Sequence, residues 1–158
     1  SYMGFACSAL LASAATTPFY SLAITGDGSF LMNPQILIDG AEYGVHGCIL
    51  LLDNNRMGAI SGLQKAQYGY EFATRHSKPI DYLTLASSIP GVLALECRPS
   101  MKALQTALQK AHRHSGLSFI HVPVYYGDDT LGGMGVFGRW NVGVWSEETQ
   151  ALRHQIGL

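Results

Sequence analysis

Charge is what this chain has least of. Asp, Glu, Lys and Arg make up 13% of its 158 residues, about half the usual quarter. The net charge of −1 supplies no basic field, which excludes nucleic acid and anionic membrane as partners. With 47% hydrophobic residues and so few charges, the chain is expected to cover much of its surface against another chain, in a dimer or tetramer. Cysteine is scarce and odd in number: Cys7, Cys48 and Cys97 lie in apolar surroundings with neither disulfide nor zinc spacing. They read as buried thiols of a reducing cytoplasm. No apolar run is long enough to span a bilayer. The run from Phe5 to Ala14 imitates the core of a secretory signal, but it lacks a basic leader. Its small residues suit a helix packed tightly on a sheet or a neighbouring subunit. There is no internal repeat, and no nucleophile elbow to support a Ser-His-Asp site.

What is present is an alternation of apolar strands and helical stretches, the pattern of an α/β fold on a parallel sheet with helices on both faces. The expected order is helix 4–14, strand 20–25, helix 31–43 and strand 47–53. A helical piece over 61–72, helix 81–88, strand 92–96, helix 100–114 and strand 117–122 follow. Met101, Leu104, Leu108 and Ala111 fall on one helical face. Ser100 suits its N-cap, and Gly116 lies just past its end. From Gly127 the character changes. Gly127, Gly132, Gly133, Gly135, Gly138 and Gly143 punctuate a stretch that also carries Phe137, Trp140 and Trp145, which divides the chain into a domain at 1–126 and a C-terminal segment at 127–158 with a terminal helix over 146–155. Two readings of that segment stay open: packing on the subunit or a partner, and a lid over a site.

The densest chemistry lies at two strand ends. Ser21 to Thr25 runs into Gly26-Asp27-Gly28-Ser29, and Cys48 to Leu52 runs into Asp53-Asn54-Asn55-Arg56-Met57-Gly58. Two strands finishing side by side in a parallel sheet bring Asp27 and Asn54 together at their carboxyl ends, where open α/β sheets place ligands. A carboxylate, an amide oxygen and a loop carbonyl form a hard, all-oxygen set that suits Mg²⁺ and leaves room for water and phosphates. The glycines let backbone N–H groups approach a diphosphate, and a helix starting just after Ser29 would aim its positive end there.

This pattern, GDG-S at one strand end and Asn some two dozen residues later at the next, resembles the signature of the thiamine diphosphate (ThDP) enzymes. Ser1-Tyr2-Met3-Gly4-Phe5 is similar to the segment that opens the cofactor pocket in acetolactate synthase-like members. The stretch Leu52 to Ile60, then Leu63-Gln64, is similar to the trihydroxycyclohexanedione hydrolases. The resemblance implies a pyrophosphate-binding domain, N-terminally incomplete, in which Asp27 and Asn54 bind Mg²⁺ through side chains and Arg56 through its carbonyl. The family usually has Gly where Arg56 stands, which bears on loop conformation more than on the metal.

By the same resemblance Gly26, Gly28, Ser29, Met57 and Gly58 hold the diphosphate. Asn55 either touches phosphate or caps its turn. The Ser1 carbonyl and the Met3 amide meet the pyrimidine edge, with the Met3 side chain wedged between the two rings of the cofactor. Gln64 and Trp140 are candidate substrate contacts. The implied activity makes or breaks a C–C bond next to a carbonyl, with the thiazolium as electron sink. Substrates would be 2-oxo acids or cyclic 1,2-diones; Leu63-Gln64 and Gly138-Arg139-Trp140-Asn141-Val142 tilt toward the second. The catalytic glutamate has no counterpart in this sequence, so it is expected from a pyrimidine-binding domain or subunit.

Two rivals stand beside this reading. One is a non-catalytic partner subunit that keeps the diphosphate site for assembly. The other is a receiver-like or phosphohydrolase domain, which would want a second carboxylate at the strand ends. The six histidines show no zinc-ligand spacing; His112 and His114 read as surface residues near a helix C-terminus. Asp53, like Asp128 and Asp129, reads as part of a solvated turn.

Overall fold

The computed structural model describes residues 2–17 and 19–124, without the side chains of 65–67. The expectations for 127–158 lie outside these residues. The described chain runs α1 (Phe5–Thr16), β1 (Ser21–Gly26), α2 (Asp27–Phe30), α3 (Ile36–Glu42), β2 (Gly47–Asp53) and α4 (Gly58–Tyr68). It continues with α5 (Tyr82–Ser87), β3 (Leu93–Glu96), α6 (Met101–Arg113) and β4 (Leu117–Pro123). It falls into two compact units, one built from 1–55 and 78–125, the other including 56–77.

The first unit holds a four-stranded sheet, all parallel, in the order β1-β2-β4-β3. Its central strands are buried along nearly their whole length, as parallel strands covered on both faces must be. On one face Ile49, Leu51, Leu117 and Phe119 pack with Cys7 and Leu10 of α1, Phe30 of α2, Leu37 of α3 and Tyr82 of α5. On the other, Cys48, Leu50, Ile120 and Val122 pack with Ala107 and Ala111 of α6. The expected arrangement, helices on both faces of a parallel sheet, is what this unit shows. The three cysteines are free and buried.

Three local expectations change. The helix expected over 31–43 forms only as α3, preceded by the separate turn of α2. Pro34 lacks an N–H and disfavours helical backbone at Asn33, so the two cannot merge. The first helical turn begins at Asp27 itself, with Gly26 as N-cap, and not after Ser29. In α6, Ser100 does cap the helix, its hydroxyl accepting from the Ala103 N–H at 3.2 Å. Met101, however, is solvent-exposed; the small residues Ala107 and Ala111 lie against the sheet, with Leu104 and Leu108 half-buried beside them.

The second unit is built on α4, which ends at Gly69 in the left-handed conformation, φ 76°, as a helix C-terminus favours. The chain returns antiparallel, Arg56 bridging Arg75. The Met57 N–H donates to the Thr74 carbonyl at 2.8 Å, and Ser61 bonds Thr74 through hydroxyls at 2.7 Å. Among the described residues, no helix is long and apolar enough to cross a membrane.

Candidate cofactor site

The register of β1 on β2 sets the two signature turns side by side. Gly26 pairs with Leu52, so Asp27 leaves β1 level with Asp53, and Asn54 is the next residue beyond. Both turns lie at the carboxyl edge of the parallel sheet, where strand ends leave backbone groups and loops for a ligand. Asp27 is 2% exposed, a carboxylate drawn into the protein at the first turn of a helix, where negative charge is favoured. Gly28 is buried beside it, Ser29 and Asn54 are half-buried, and Gly26 is open. A Cβ on Gly26 would come no nearer than 3.9 Å to the Leu52 carbonyl oxygen.

The opening segment meets the same turn. The Gly4 N–H donates to Ser29 Oγ at 2.8 Å. Gly4 takes φ 87°, and a Cβ there would stand 3.3 Å from that of Met32, so glycine is what this close, left-handed crossing requires. The preceding Met3 is 40% exposed, outside the core. Ser1 and Trp140 lie outside the described residues.

Asn55 is left-handed, φ 56°, a conformation Asn adopts more readily than most residues. Its N–H donates to Asp53 Oδ1 at 2.8 Å. Asp53 is therefore not the solvated residue its turn-rich neighbourhood suggests. It is 5% exposed, and its Oδ2 pairs with Nε2 of the buried His121 on β4 at 2.9 Å. The partner is absent from Asp53's own sequence neighbourhood. The one sequence signal is an aspartate ending an otherwise apolar strand, and a polar residue there needs company.

Arg56, Met57, Gly58 and Gln64 belong to the second unit. Arg56 is buried with its guanidinium 3.9 Å from Glu71; Glu71 also pairs with Arg75. Met57 and Gly58 are half-buried. Gln64 is engaged within its unit, its Oε1 accepting from the Phe72 N–H at 2.7 Å.

The donors fit a hard cation carrying phosphate. They are one buried carboxylate and a neighbouring amide on adjacent strand tips. Among the described residues no group of three His, Cys, Asp or Glu side chains forms an alternative cage. Mg²⁺ uses one or two carboxylates and completes its shell with water and phosphate oxygens. The second carboxylate that a receiver-like site would require is Asp53 by position, but both its oxygens are engaged by Asn55 and His121.

A parallel α/β sheet with an aspartate and an asparagine just beyond two adjacent carboxyl strand ends is therefore the class of protein in hand. Residues 1–122 match the family described as "Thiamine pyrophosphate enzyme, C-terminal TPP binding domain", and the chain belongs to that family. It is 34% identical over 129 residues to the 3D-(3,5/4)-trihydroxycyclohexane-1,2-dione hydrolase of Halalkalibacterium halodurans, covering 77% of this chain and 20% of the relative. It is also 34% identical over 88 residues to a probable acetolactate synthase large subunit of Methanocaldococcus jannaschii, covering 54% of this chain and 15% of that one. The fold matches a thiamine diphosphate-dependent 4-hydroxybenzoylformate decarboxylase of Rhodococcus jostii with a TM-score of 0.71 at 23% identity, covering 79% of this chain and 24% of the other. The chain spans a fifth or less of the length of these curated relatives.

Proposed function

We propose that this chain is the diphosphate- and Mg²⁺-binding part of a ThDP-dependent enzyme that cleaves or forms a C–C bond next to a carbonyl. Residues 1–126 are the binding domain in this reading, and 127–158 are its C-terminal segment. The observation that carries it is the pairing of Gly26 with Leu52, which leaves a buried Asp27 and Asn54 on neighbouring strand tips. Asp27 and Asn54 hold the metal by their side chains and Arg56 by its carbonyl. Gly26, Gly28, Ser29, Asn55, Met57 and Gly58 serve the diphosphate. Ser29, whose oxygen already accepts from Gly4, keeps its O–H as a donor. Ser1 and Met3 meet the pyrimidine.

Bound ThDP supplies an electron sink for the carbanion that C–C cleavage leaves behind. The residues of this chain bind and orient it: the carboxylate fixes the metal, and the half-buried Asn54 and Ser29 narrow the site. A pyrimidine-binding domain or subunit supplies the catalytic glutamate, in a cytoplasmic dimer or tetramer. The substrate is a 2-oxo acid, decarboxylated or ligated, or a cyclic 1,2-dione opened by hydrolysis. Similarity to both a dione hydrolase and acetolactate synthases supports that pair, with Gln64 and Trp140 as substrate contacts.

Titrating ThDP into the chain assembled with its partner, with Mg²⁺ and then with EDTA, tests the reading. Metal-dependent binding together with turnover of a 2-oxo acid or dione is expected. Assembly without ThDP binding would leave a scaffold subunit, and metal binding indifferent to ThDP would mean a different site.

A further inference from the structure

The Asp53–His121 pair has no place in the set of residues that would touch cofactor or metal, yet its position is unusual. An ionisable pair at the end of two buried strands costs desolvation, and an apolar pair would pack there at no such cost. What the pair does locally is immobilise one turn. Asp53 Oδ1 accepts from the Asn55 N–H at 2.8 Å, and Oδ2 is held by His121 Nε2 at 2.9 Å. The Asp53 carbonyl accepts from the Val124 N–H at 2.8 Å. Asn54 therefore sits between a residue bonded through both side chain and backbone and a residue fixed in the left-handed region.

His121 is itself braced. Its carbonyl accepts from the Cys97 N–H at 2.8 Å, and its ring lies 5.4 Å from that of Tyr82. Tyr82 packs edge-on to Phe30 at 6.1 Å, and Phe30 closes the short helix that begins at Asp27. One continuous chain of contacts thus runs from the Asn54 turn through Asp53, His121, Tyr82 and Phe30 to the turn that carries Asp27.

We infer that Asp53 and His121 are positioning residues that hold Asn54 in register with Asp27, and so set the metal affinity of the cofactor site. This rests on the metal assignment proposed above. Partners one step removed from a metal ligand commonly change affinity by 10- to 100-fold. A residue that served only the fold would lower thermal stability while the folded protein bound metal as before.

The test measures Mn²⁺ dissociation at saturating ThDP on the assembled enzyme, with circular dichroism confirming fold. His121→Phe keeps the ring against Tyr82 but removes the nitrogen, and is expected to weaken Mn²⁺ binding about tenfold or more. Asp53→Leu, which also loses the acceptor for Asn55, is expected to weaken it further. Asp53→Asn retains that acceptor and can donate to the His121 ring in its other tautomer; it is expected to stay within about threefold of wild type, against the tenfold loss of the ring variant. If Asp53→Leu is recovered unfolded, the contrast between His121→Phe and Asp53→Asn carries the test alone. Folded variants that all bind Mn²⁺ as wild type would overturn the inference. Asp27→Ala is run in parallel. If it too leaves Mn²⁺ binding intact, the metal assignment has failed; if it alone abolishes binding, only the positioning role has.

Discussion

Replacing Asp27 by Ala is the most direct perturbation of the site. The carboxylate is 2% exposed and stands at the first residue of a helical turn. Its removal takes the only charged protein donor from the proposed metal set and leaves an amide and a carbonyl. Since changing a group that merely supports a metal ligand costs 10- to 100-fold in affinity, losing the ligand should cost about 100-fold or more, equivalent to about 2.7 kcal/mol. The side chain is small and no cavity in the apolar core is opened, so the fold should persist. The assay is thermal melting with and without ThDP and Mg²⁺. At a hundred times Kd, a ligand adds about 2.7 kcal/mol to the folded state. A chain of this size gains about 2–4 °C per kcal/mol, so wild type should rise by about 5–10 °C and Asp27→Ala by almost nothing. A variant whose melting temperature climbs as far as that of wild type would refute the reasoning, because the metal would then be held elsewhere.

Three further outcomes follow from the packing. Gly47→Ala would put a Cβ 2.9 Å from both Leu10 Cδ1 and the Ser21 carbonyl oxygen; the side chain can shift but the strand carbonyl cannot. A loss of about 1–3 kcal/mol in urea unfolding is expected, and an unchanged midpoint would mean the two strands are looser than described. Phe119→Ala empties a fully buried site whose ring lies 5.3 Å from that of Phe30, and should cost about 3–5 kcal/mol, read by the same unfolding curve. Burial raises the Cys7 thiol to about 11 and the Cys48 thiol to about 12, from 9.0. Unfolding returns both to water, where they ionise near 9, so the unfolded chain binds fewer protons above that pH. Stability should be indifferent to these thiols below pH 9 and fall from there through pH 11 to 12. Denaturation at pH 8 and pH 10 should show a smaller alkaline loss in the Cys7→Ala, Cys48→Ala double variant than in wild type; equal losses would contradict the burial.

Much of the candidate site's layout was legible because it is written locally. A glycine–aspartate–glycine turn after one apolar strand and an amide pair after the next state their own geometry, and parallel pairing of those strands does the rest. The buried strands, the Ser100 cap and the family membership were readable for the same reason: each is written in a few contiguous residues. The helix expected over 31–43 is interrupted at Pro34, which lacks an N–H and disfavours helical backbone before it. Met101 shares the face of Leu104, Leu108 and Ala111 but is exposed, because periodicity gives a face and not how far along the helix the sheet extends.

Asp53 shows the limit most clearly. Its immediate neighbours, Asn54 and Asn55, describe a polar turn, and nothing within many residues announces a partner. That partner, His121, arrives on β4 because β4 inserts between β2 and β3 in the sheet, a choice fixed by which buried faces fit against one another. The sequence by itself determined the alternation of strands and helices, the oxygen donors at two strand tips and the family they belong to. Only the tertiary structure decided the strand order, the burial of the Asp53–His121 pair and the bracing of the Asn54 turn, because those depend on packing between segments that share no local signal.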